Sequence, residues 1–206
     1  MNGVVHYLVG LIITLIVIKY SRIDINEPKS KKELILLMSI IFILSFFSHI
    51  LVDACAHFTY HPSQSDWGDP VYTSWHFTIY LAEAIFGSFF LKTDIRYAVG
   101  MVGSIGFDLW DWSIRRPLEK YAGVTGLPSL HWMADRVENT LFHSFRSLRN
   151  EKWALVVEII LILILFVIWR VMHDNSDLTT NERPATWTEV GIILIIFGAL
   201  RILTLL

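Results

Sequence analysis

The feature that most constrains this chain is a set of apolar runs, each long enough to cross a lipid bilayer as a helix. The clearest covers residues 153–169, and its centre, residues 159–168, is unbroken apolar sequence. A bilayer core of about 30 Å requires about 20 apolar residues in helical form. Backbone polar groups in lipid must be paired within the segment, so a helix is the expected structure of each run. We therefore predict an all-α fold, a polytopic membrane helical bundle.

The runs predict about five or six transmembrane helices plus one amphipathic interfacial helix, within a single integral membrane domain over residues 1–206. The predicted transmembrane helices cover about 4–20, 34–58, 72–91, 95–114, 153–172 and 187–206. The interfacial helix is predicted over about 129–149, where apolar residues recur every three or four positions. The fourth run is the weakest, because Gly100, Gly103 and Gly106 thin it. Glycines at this spacing also allow a neighbouring helix to approach closely.

The composition agrees with a chain that has little water-facing surface. Charged residues make up 17% of it, against about 25% in an average soluble domain. The formal net charge of −2 gives no indication of a nucleic-acid partner. The first apolar run has no Lys or Arg before it and no small-residue cleavage site after it, so we expect a retained helix and not a signal peptide. We expect a multi-pass protein of the cell membrane, surrounded by membrane lipid.

Three ionisable residues share one face near the end of the second predicted helix. His49, Asp53 and His57 are spaced i, i+4 and i+8, and each step turns only about 40° around a helix. An ionisable group at membrane depth costs about 2.5–3.5 kcal/mol by insertion scales. Such groups are retained where they pair, line a wet cavity or bind a metal. Imidazoles and a carboxylate on one stripe favour Zn²⁺ or a similar divalent ion. The alternative is a hydrogen-bonded polar stripe that holds helices together.

Two carboxylates end the fourth predicted helix. Asp108 and Asp111 are three residues apart, about 60° around a helix, so both can face one site. Trp110 and Trp112 flank them, as in the aromatic belt at a membrane interface. Taken alone, this pair is better interpreted as carboxylates that cap a helix end at the water boundary.

The predicted interfacial helix carries further ligand-type residues opposite its apolar stripe: His131, Asp135, Glu138, Asn139 and His143. Taken alone, this arc is better interpreted as a solvated polar face. The predicted topology, however, brings this helix to the same membrane side as the ends of the second and fourth helices and the start of the first. Such convergence favours a shared metal site. The predicted metal ligands are His6, His49, Asp53, His57, Asp108, Asp111 and His143.

Further charged residues are assigned supporting roles in this site. Glu83 lies deep in the third predicted helix, where a buried carboxylate needs a partner, and it is equally well interpreted as a base or as a salt-bridge partner. The predicted catalytic residues are Glu83, Asp135 and Glu138, each a possible general base. Arginines on the site side can bind a phosphate group, and ordinary interfacial anchoring is the alternative for each. They are Arg115, Arg116, Arg136 and Arg146.

Four short motifs resemble those of the membrane-bound metal-dependent hydrolases. Residues 48–53, Ser-His-Ile-Leu-Val-Asp, are similar to the Ser-His-x-x-x-Asp helix of that family. The first helix with His6 is similar to its opening His-bearing helix, and Asp108 with Asp111 resembles its Asp-rich helix end. Residues 140–144, Thr-Leu-Phe-His-Ser, are similar to its Thr-His-Ser motif. The order differs, because the Ser-His-x-x-x-Asp helix comes before the aspartates here and after the Thr-His-Ser segment in the family.

The resemblance implies metal-dependent hydrolysis of a phosphoester. The function predicted is therefore a membrane-embedded metal-dependent hydrolase that acts on a lipid or a small lipid-linked substrate through a metal-activated water. A non-enzymatic carrier or channel for protons or divalent metal ions is the alternative. A carrier should distribute its polar residues along a path across the bilayer, and Glu83 is the residue that best fits such a path.

Overall fold

The computed structural model describes residues 3–21, 30–60, 70–91 and 94–174. Within these ranges the chain forms helices, turns and irregular connections and has no strand, which confirms the all-α prediction there. The helix predicted over 187–206 lies outside the described residues.

Eight helices can be numbered along the described chain. The four longest are α1 (Gly3–Tyr20), α2 (Lys31–Ala54), α3 (Pro70–Leu91) and α8 (Leu155–Asp174). The shorter ones are α4 (Ile95–Ser104), α5 (Gly106–Asp108), α6 (Arg116–Ala122) and α7 (Trp132–Leu141). A 3₁₀ turn, Cys55–Phe58, continues α2, and a second, Lys152–Ala154, precedes α8.

Three of the described helical segments are long and apolar enough to cross a membrane: Gly3–Tyr20, Lys31–Phe58 and Lys152–Asp174. Their outer faces are apolar, as expected of surfaces that meet lipid. The exposed side chains on α2 and α8 include Ile35, Leu36, Ile43, Leu44, Phe47, Leu51, Val156, Ile160, Ile164, Val167 and Val171. The larger number of five or six spans remains a prediction.

Helix α1 is the centre of the bundle and contacts α2, α3, α4 and α8. Its crossing with α4 is backbone to backbone, because glycines meet there. A Cβ atom added at Gly100 would lie 2.6 Å from the carbonyl oxygen of Gly10. At Gly103, an added Cβ would lie 2.9 Å from the carbonyl oxygen of Phe42 on α2. The glycines of the fourth run thus allow two neighbouring helices to approach closely.

The fourth predicted helix, 95–114, is not continuous in the structure. Helix α4 ends at Ser104, α5 begins at Gly106, and a π-helix occupies Leu109–Arg115. In that π-helix the N–H of Arg116 donates to the carbonyl of Asp111, five residues earlier. Pro117 follows at once, and a proline ring clashes with the carbonyl four residues before it. The wider turn is therefore a local consequence of the proline.

The helix predicted over 129–149 is shorter than expected, because α7 covers only Trp132–Leu141. The chain beyond it bonds to the turn after α2. The N–H of Leu148 donates to the carbonyl of His57 at 2.8 Å, and the carbonyl of Phe145 accepts from Nε2 of His57 at 3.1 Å. These tertiary bonds use backbone groups that a continuing helix would bond internally.

Candidate metal centre

Five imidazole and carboxylate side chains from four parts of the chain meet at one end of the bundle. His6 comes from the start of α1, His49 and Asp53 from the last turns of α2, and Asp108 from α5. His131 precedes the first residue of α7. Two overlapping sets of donor atoms each lie within 4.8 Å of one another: His6, His49 and Asp108, and His49, Asp53 and His131. Because both sets contain His49, they form one cluster.

Asp53 is at the centre of this cluster. Its Oδ1 lies 3.1 Å from Nε2 of His6, and its Oδ2 lies 3.0 Å from Nε2 of His49. The same Oδ2 lies 3.3 Å from Nε2 of His131. The rings of His6 and His49 stack with their centroids 4.1 Å apart, and both side chains are fully buried. Three imidazoles therefore surround one carboxylate.

The orientation of His49 is fixed by a backbone group. Its Nδ1 lies 2.7 Å from the carbonyl oxygen of Ser104, the last residue of α4. A carbonyl oxygen can only accept, so Nδ1 carries the proton. Nε2 is then the ring nitrogen that is available to a cation, and it points at Asp53. A backbone or carboxylate partner on the second ring nitrogen is a recurrent property of metal-binding histidines.

His131 is oriented in the same way by Asp111. Nδ1 of His131 lies 2.5 Å from Oδ2 of Asp111, and Nε2 lies 3.1 Å from Oδ1 of Asp108. Asp111 is itself held from two further sides: Ser129 donates to Oδ2 at 2.7 Å, and Nε of Arg115 donates to Oδ1 at 2.8 Å. Asp111 thus lies behind the His131 ring, on the side away from Asp53.

The carboxylates around His131 control its protonation. Burial alone would lower the pKa of this imidazole. The hydrogen bond with Asp108, the charges of Asp53 and Asp108, and the bond with Asp111 outweigh that effect and raise the pKa from 6.5 to about 9. With no cation present, His131 therefore carries a positive charge at neutral pH. That charge offsets the negative charge of Asp53 and Asp108, as a metal ion bound beside them would.

Four contacts between donor atoms are close to the distance that separates two ligands of a tetrahedral metal ion, and they are also of ordinary hydrogen-bond length. Ligands bound at about 2.0 Å in a tetrahedral arrangement lie about 3.3 Å from one another. The four contacts of Nε2 atoms with Asp53 and Asp108 measure 3.0, 3.1, 3.1 and 3.3 Å. In addition, Nδ1 of the fully buried His6 has no hydrogen-bond partner among the residues that the structure describes. These imidazole and carboxylate donors suit Zn²⁺ or another borderline divalent cation.

An open cavity of about 530 Å³ lies beside the cluster. Asp53, Asp108 and His131 form part of its wall, together with Tyr7 from α1 and His76 from α3. Glu83 and Asp135 also line it, and Oε1 of Glu83 accepts from the N–H of Gly3 at 3.1 Å. The cluster is therefore accessible to a small molecule.

Other residues predicted for the site lie elsewhere. Nδ1 of His57 lies 3.0 Å from Oε1 of Glu138, whose other oxygen accepts from Arg149. The contacts of Glu138 with His57 and Arg149 connect α7 and the segment after it to the turn after α2. Neither His57 nor Glu138 is in the donor cluster. His143 is exposed, and its Nε2 bonds to Oγ of Ser144.

The four predicted phosphate-binding arginines differ in their surroundings. Arg115 bonds to Asp111 and to Glu119, and Arg146 pairs with Glu151. Arg136 is exposed on α7 and is not among the residues that line the cavity. Only Arg116 of the four lines the cavity.

Sequence reasoning placed His131 on the polar arc of a helix but did not include it among the ligands. About twenty residues separate it from Asp108 and Asp111. Hydrophobic periodicity does not predict how the chain between helices folds, so it could not predict this contact. The carbonyl of Ser104 is a backbone group that no motif could indicate. A signal for His131 did exist, because it shares an arc with other ligand-type residues on the predicted site side.

Comparisons with known proteins give no relative from which to infer a function: no family model, no curated protein and no solved structure matches the chain. The chemistry of the site is therefore inferred from its own geometry.

Proposed function

We propose that this chain is a multi-pass membrane metal-dependent hydrolase that acts on phosphoesters, with a lipid or lipid-linked molecule as substrate. One or two Zn²⁺-like ions would be held by His6, His49, Asp53, Asp108 and His131. The observation that carries the proposal is the meeting of these five donors from four separate stretches, three of which, Asp53, Asp108 and His131, line an open cavity. Ionisable groups within or at the ends of apolar helices of membrane-spanning length are costly and are candidates for a functional site.

The bound metal would supply an activated water and would polarise the scissile bond. The chain's own residues would do the rest. The carbonyl of Ser104 and the carboxylate of Asp111 orient the two imidazoles, His49 and His131, so that each presents Nε2 to the ion.

Asp135 is the best-placed general base among the three predicted catalytic carboxylates. It lies one turn after His131 on α7 and lines the cavity. Glu138 is already bonded to His57 and Arg149. Glu83 also lines the cavity, but its carboxylate accepts from the backbone of Gly3. A general base must lie within reach of the proton that it removes, and the position of Asp135 beside the donor cluster supports this role.

The resemblance to the membrane-bound metal-dependent hydrolases is part of the same proposal. Of the residues that carry it, His6, His49, Asp53 and Asp108 are in the donor cluster. Asp111, the second aspartate of the compared helix end, is not in a donor set and contacts Nδ1 of His131. The segment compared with the Thr-His-Ser motif is not in the cluster, because His143 is exposed. In this chain His131 would take the place of that histidine.

We prefer the hydrolase to a carrier of protons or divalent ions. A carrier should distribute its polar groups along a path across the bilayer. Glu83, the residue that best fitted such a path, lines the same cavity as Asp53 and Asp108. The grouping of these carboxylates at one end of the bundle supports a reaction site.

The proposal is tested by the metal content of the full chain purified in an uncharged detergent, measured by elemental mass spectrometry. We expect stoichiometric zinc or a similar metal in the wild type. His49→Ala and Asp53→Ala should each remove it. His143→Ala is the matched control, because it removes an exposed imidazole that lies outside the cluster, and it should keep the wild-type metal content.

Folding of each variant is checked by its elution volume and helical circular dichroism. A second arm measures hydrolysis of bis(p-nitrophenyl) phosphate by the metal-loaded protein. Metal content that is unchanged in folded His49→Ala and Asp53→Ala would refute the metal centre. A metal-loaded protein without hydrolytic activity that conducts protons or Zn²⁺ in proteoliposomes would favour the carrier.

A further inference from the structure

We propose that Arg116, whose guanidinium lies over the Trp112 ring at the cavity wall, is the residue that binds the phosphate group of the ligand. This inference rests on the proposed function for its chemical meaning, but it concerns a different part of the cavity from the metal donors. It identifies the ligand as a phosphate monoester or diester, presented either by a lipid headgroup or by a soluble molecule.

The guanidinium of Arg116 makes a cation–π contact with Trp112. Its guanidinium carbon lies 3.8 Å from the centroid of the Trp112 ring, within the range of a cation–π contact. Trp112 lies within the π-helix, Leu109–Arg115, and Arg116 follows its last residue. Stacking limits the rotamers of a long side chain, so less freedom is lost when the guanidinium binds a ligand.

Of the two described arginines that line the cavity, Arg116 is the one that is not paired with an acid. The other arginine that lines the cavity, Arg149, donates to Glu138. Its sequence neighbour Arg115 is bonded to Asp111 and Glu119. Across the part of the chain that the structure describes, no carboxylate pairs with Arg116, which is exposed and lines the cavity.

The charge of the cavity explains why such a cation matters. Six carboxylates of the described residues line the wall: Asp53, Glu83, Asp108, Asp111, Asp135 and Glu158. An anionic ligand would be repelled from this wall except where a bound metal and an unpaired guanidinium offset the negative charge. A guanidinium binds phosphate through two parallel N–H···O bonds, which gives both attraction and orientation. The geometry therefore assigns the phosphate to the space between Arg116 and the metal donors.

The test measures binding of two probes to the zinc-loaded full chain in uncharged detergent by isothermal titration calorimetry. The probes are inorganic phosphate and dihexanoyl phosphatidic acid, a short-chain lipid phosphate. Arg116→Ala should weaken the binding of both by about tenfold or more. Arg116→Lys should give a smaller loss, because lysine keeps the charge but not the planar fork. Lys120→Ala, which removes a cation one turn further along α6, should bind as the wild type does.

The two probes distinguish the sources of the phosphate. Tighter binding of the short-chain lipid than of inorganic phosphate identifies a lipid headgroup, and equal affinities identify a soluble phosphoester. The proposal is overturned if the wild type binds neither probe, if Arg116→Ala binds both as the wild type does, or if Lys120→Ala causes an equal loss. Arg116 is exposed, and an unchanged unfolding midpoint of Arg116→Ala verifies that a loss of binding is local.

The same titrations on metal-free protein separate this inference from the metal proposal. If the purified chain takes up no metal but phosphate binding still depends on Arg116, the metal centre is refuted and the phosphate site stands. If metal binds as expected but the Arg116 variants bind phosphate normally, only the phosphate site is refuted.

Discussion

Gly10 and Gly100 lie against each other where α1 crosses α4, so closely that a Cβ atom on Gly100 would be 2.6 Å from the carbonyl oxygen of Gly10. His6 is one turn before Gly10, and Ser104 is one turn after Gly100. Ser104 supplies the carbonyl that orients His49. The glycine crossing therefore sets the distance between the histidines of α1 and α2 in the cluster.

Gly100→Ala should destabilise the folded protein by about 1–3 kcal/mol, as expected when an atom is forced into a closely packed interface. The measurement is unfolding in detergent, followed by circular dichroism. Gly87→Ala on α3 is the matched control, because a Cβ there would meet only Tyr7, at 3.5 Å. That control should be neutral or up to about 1 kcal/mol more stable, since alanine is favoured over glycine inside a helix. Equal effects of the two substitutions would contradict a close crossing.

His131→Ala should abolish high-affinity zinc binding, whereas His143→Ala should leave it intact. His131 contacts Asp53, Asp108 and Asp111. His143 is exposed and, within the described part of the chain, bonds the hydroxyl of Ser144. Competition between the protein and a coloured zinc chelator measures the dissociation constants. The reverse order of effects would mean that the segment after α7, and not its start, supplies the ligand.

Asp111→Asn should weaken zinc binding by about 10–100-fold without abolishing it, the usual consequence of losing a partner that orients a metal-bound imidazole. Asp108→Asn should have the larger effect, because Asp108 contacts the Nε2 side of His131 and belongs to a donor set. The same chelator competition measures both variants. A complete loss of metal in Asp111→Asn, with normal metal binding in Asp108→Asn, would mean that Asp111 is the metal ligand and Asp108 the residue that orients His131.

Asp135→Asn should lower kcat for a phosphodiester by about 10²–10⁴-fold and keep the bound metal, because a general base contributes about that much. Glu138→Gln is the comparison. Its carboxylate bonds His57 and Arg149, so this substitution should lower the unfolding midpoint and change kcat little. Steady-state hydrolysis of bis(p-nitrophenyl) phosphate and elemental analysis of the same samples provide the two measurements. A normal kcat in Asp135→Asn would leave Glu83 as the remaining candidate on the cavity wall.

The parts of the site that follow from helical spacing could be predicted from the sequence. His49 and Asp53 are one turn apart, and in the structure they contact each other at 3.0 Å. His57, the third member of the same stripe, could not be placed in this way, because α2 changes to a 3₁₀ turn at Cys55. The tighter winding takes His57 off the stripe and towards Glu138.

The remaining contacts depend on the course of the chain between helices. Asp108 and Asp111 were expected to face one site from an ideal helix. The π-helix that begins at Leu109 instead places them on opposite nitrogens of His131. The end of α7 at Leu141 depends on backbone bonds to His57 from far along the chain. Neither feature follows from the periodic spacing of apolar residues. Hydrophobic patterning therefore predicted the helices but did not identify His131 as a member of the donor cluster.

The π-helix has a consequence for how this stretch tolerates insertions and deletions. A π-turn contains one residue more than the α-helical turn that would otherwise fill the same length. Removing one residue between Asp111 and Pro117 would therefore restore regular winding and leave the turns on either side in nearly the same relation. Removing one residue from the regular helix α4 would instead rotate Asp108 and Asp111 by about 100° relative to the start of that helix. A one-residue deletion should therefore change the donor cluster less in the π-helix than in α4.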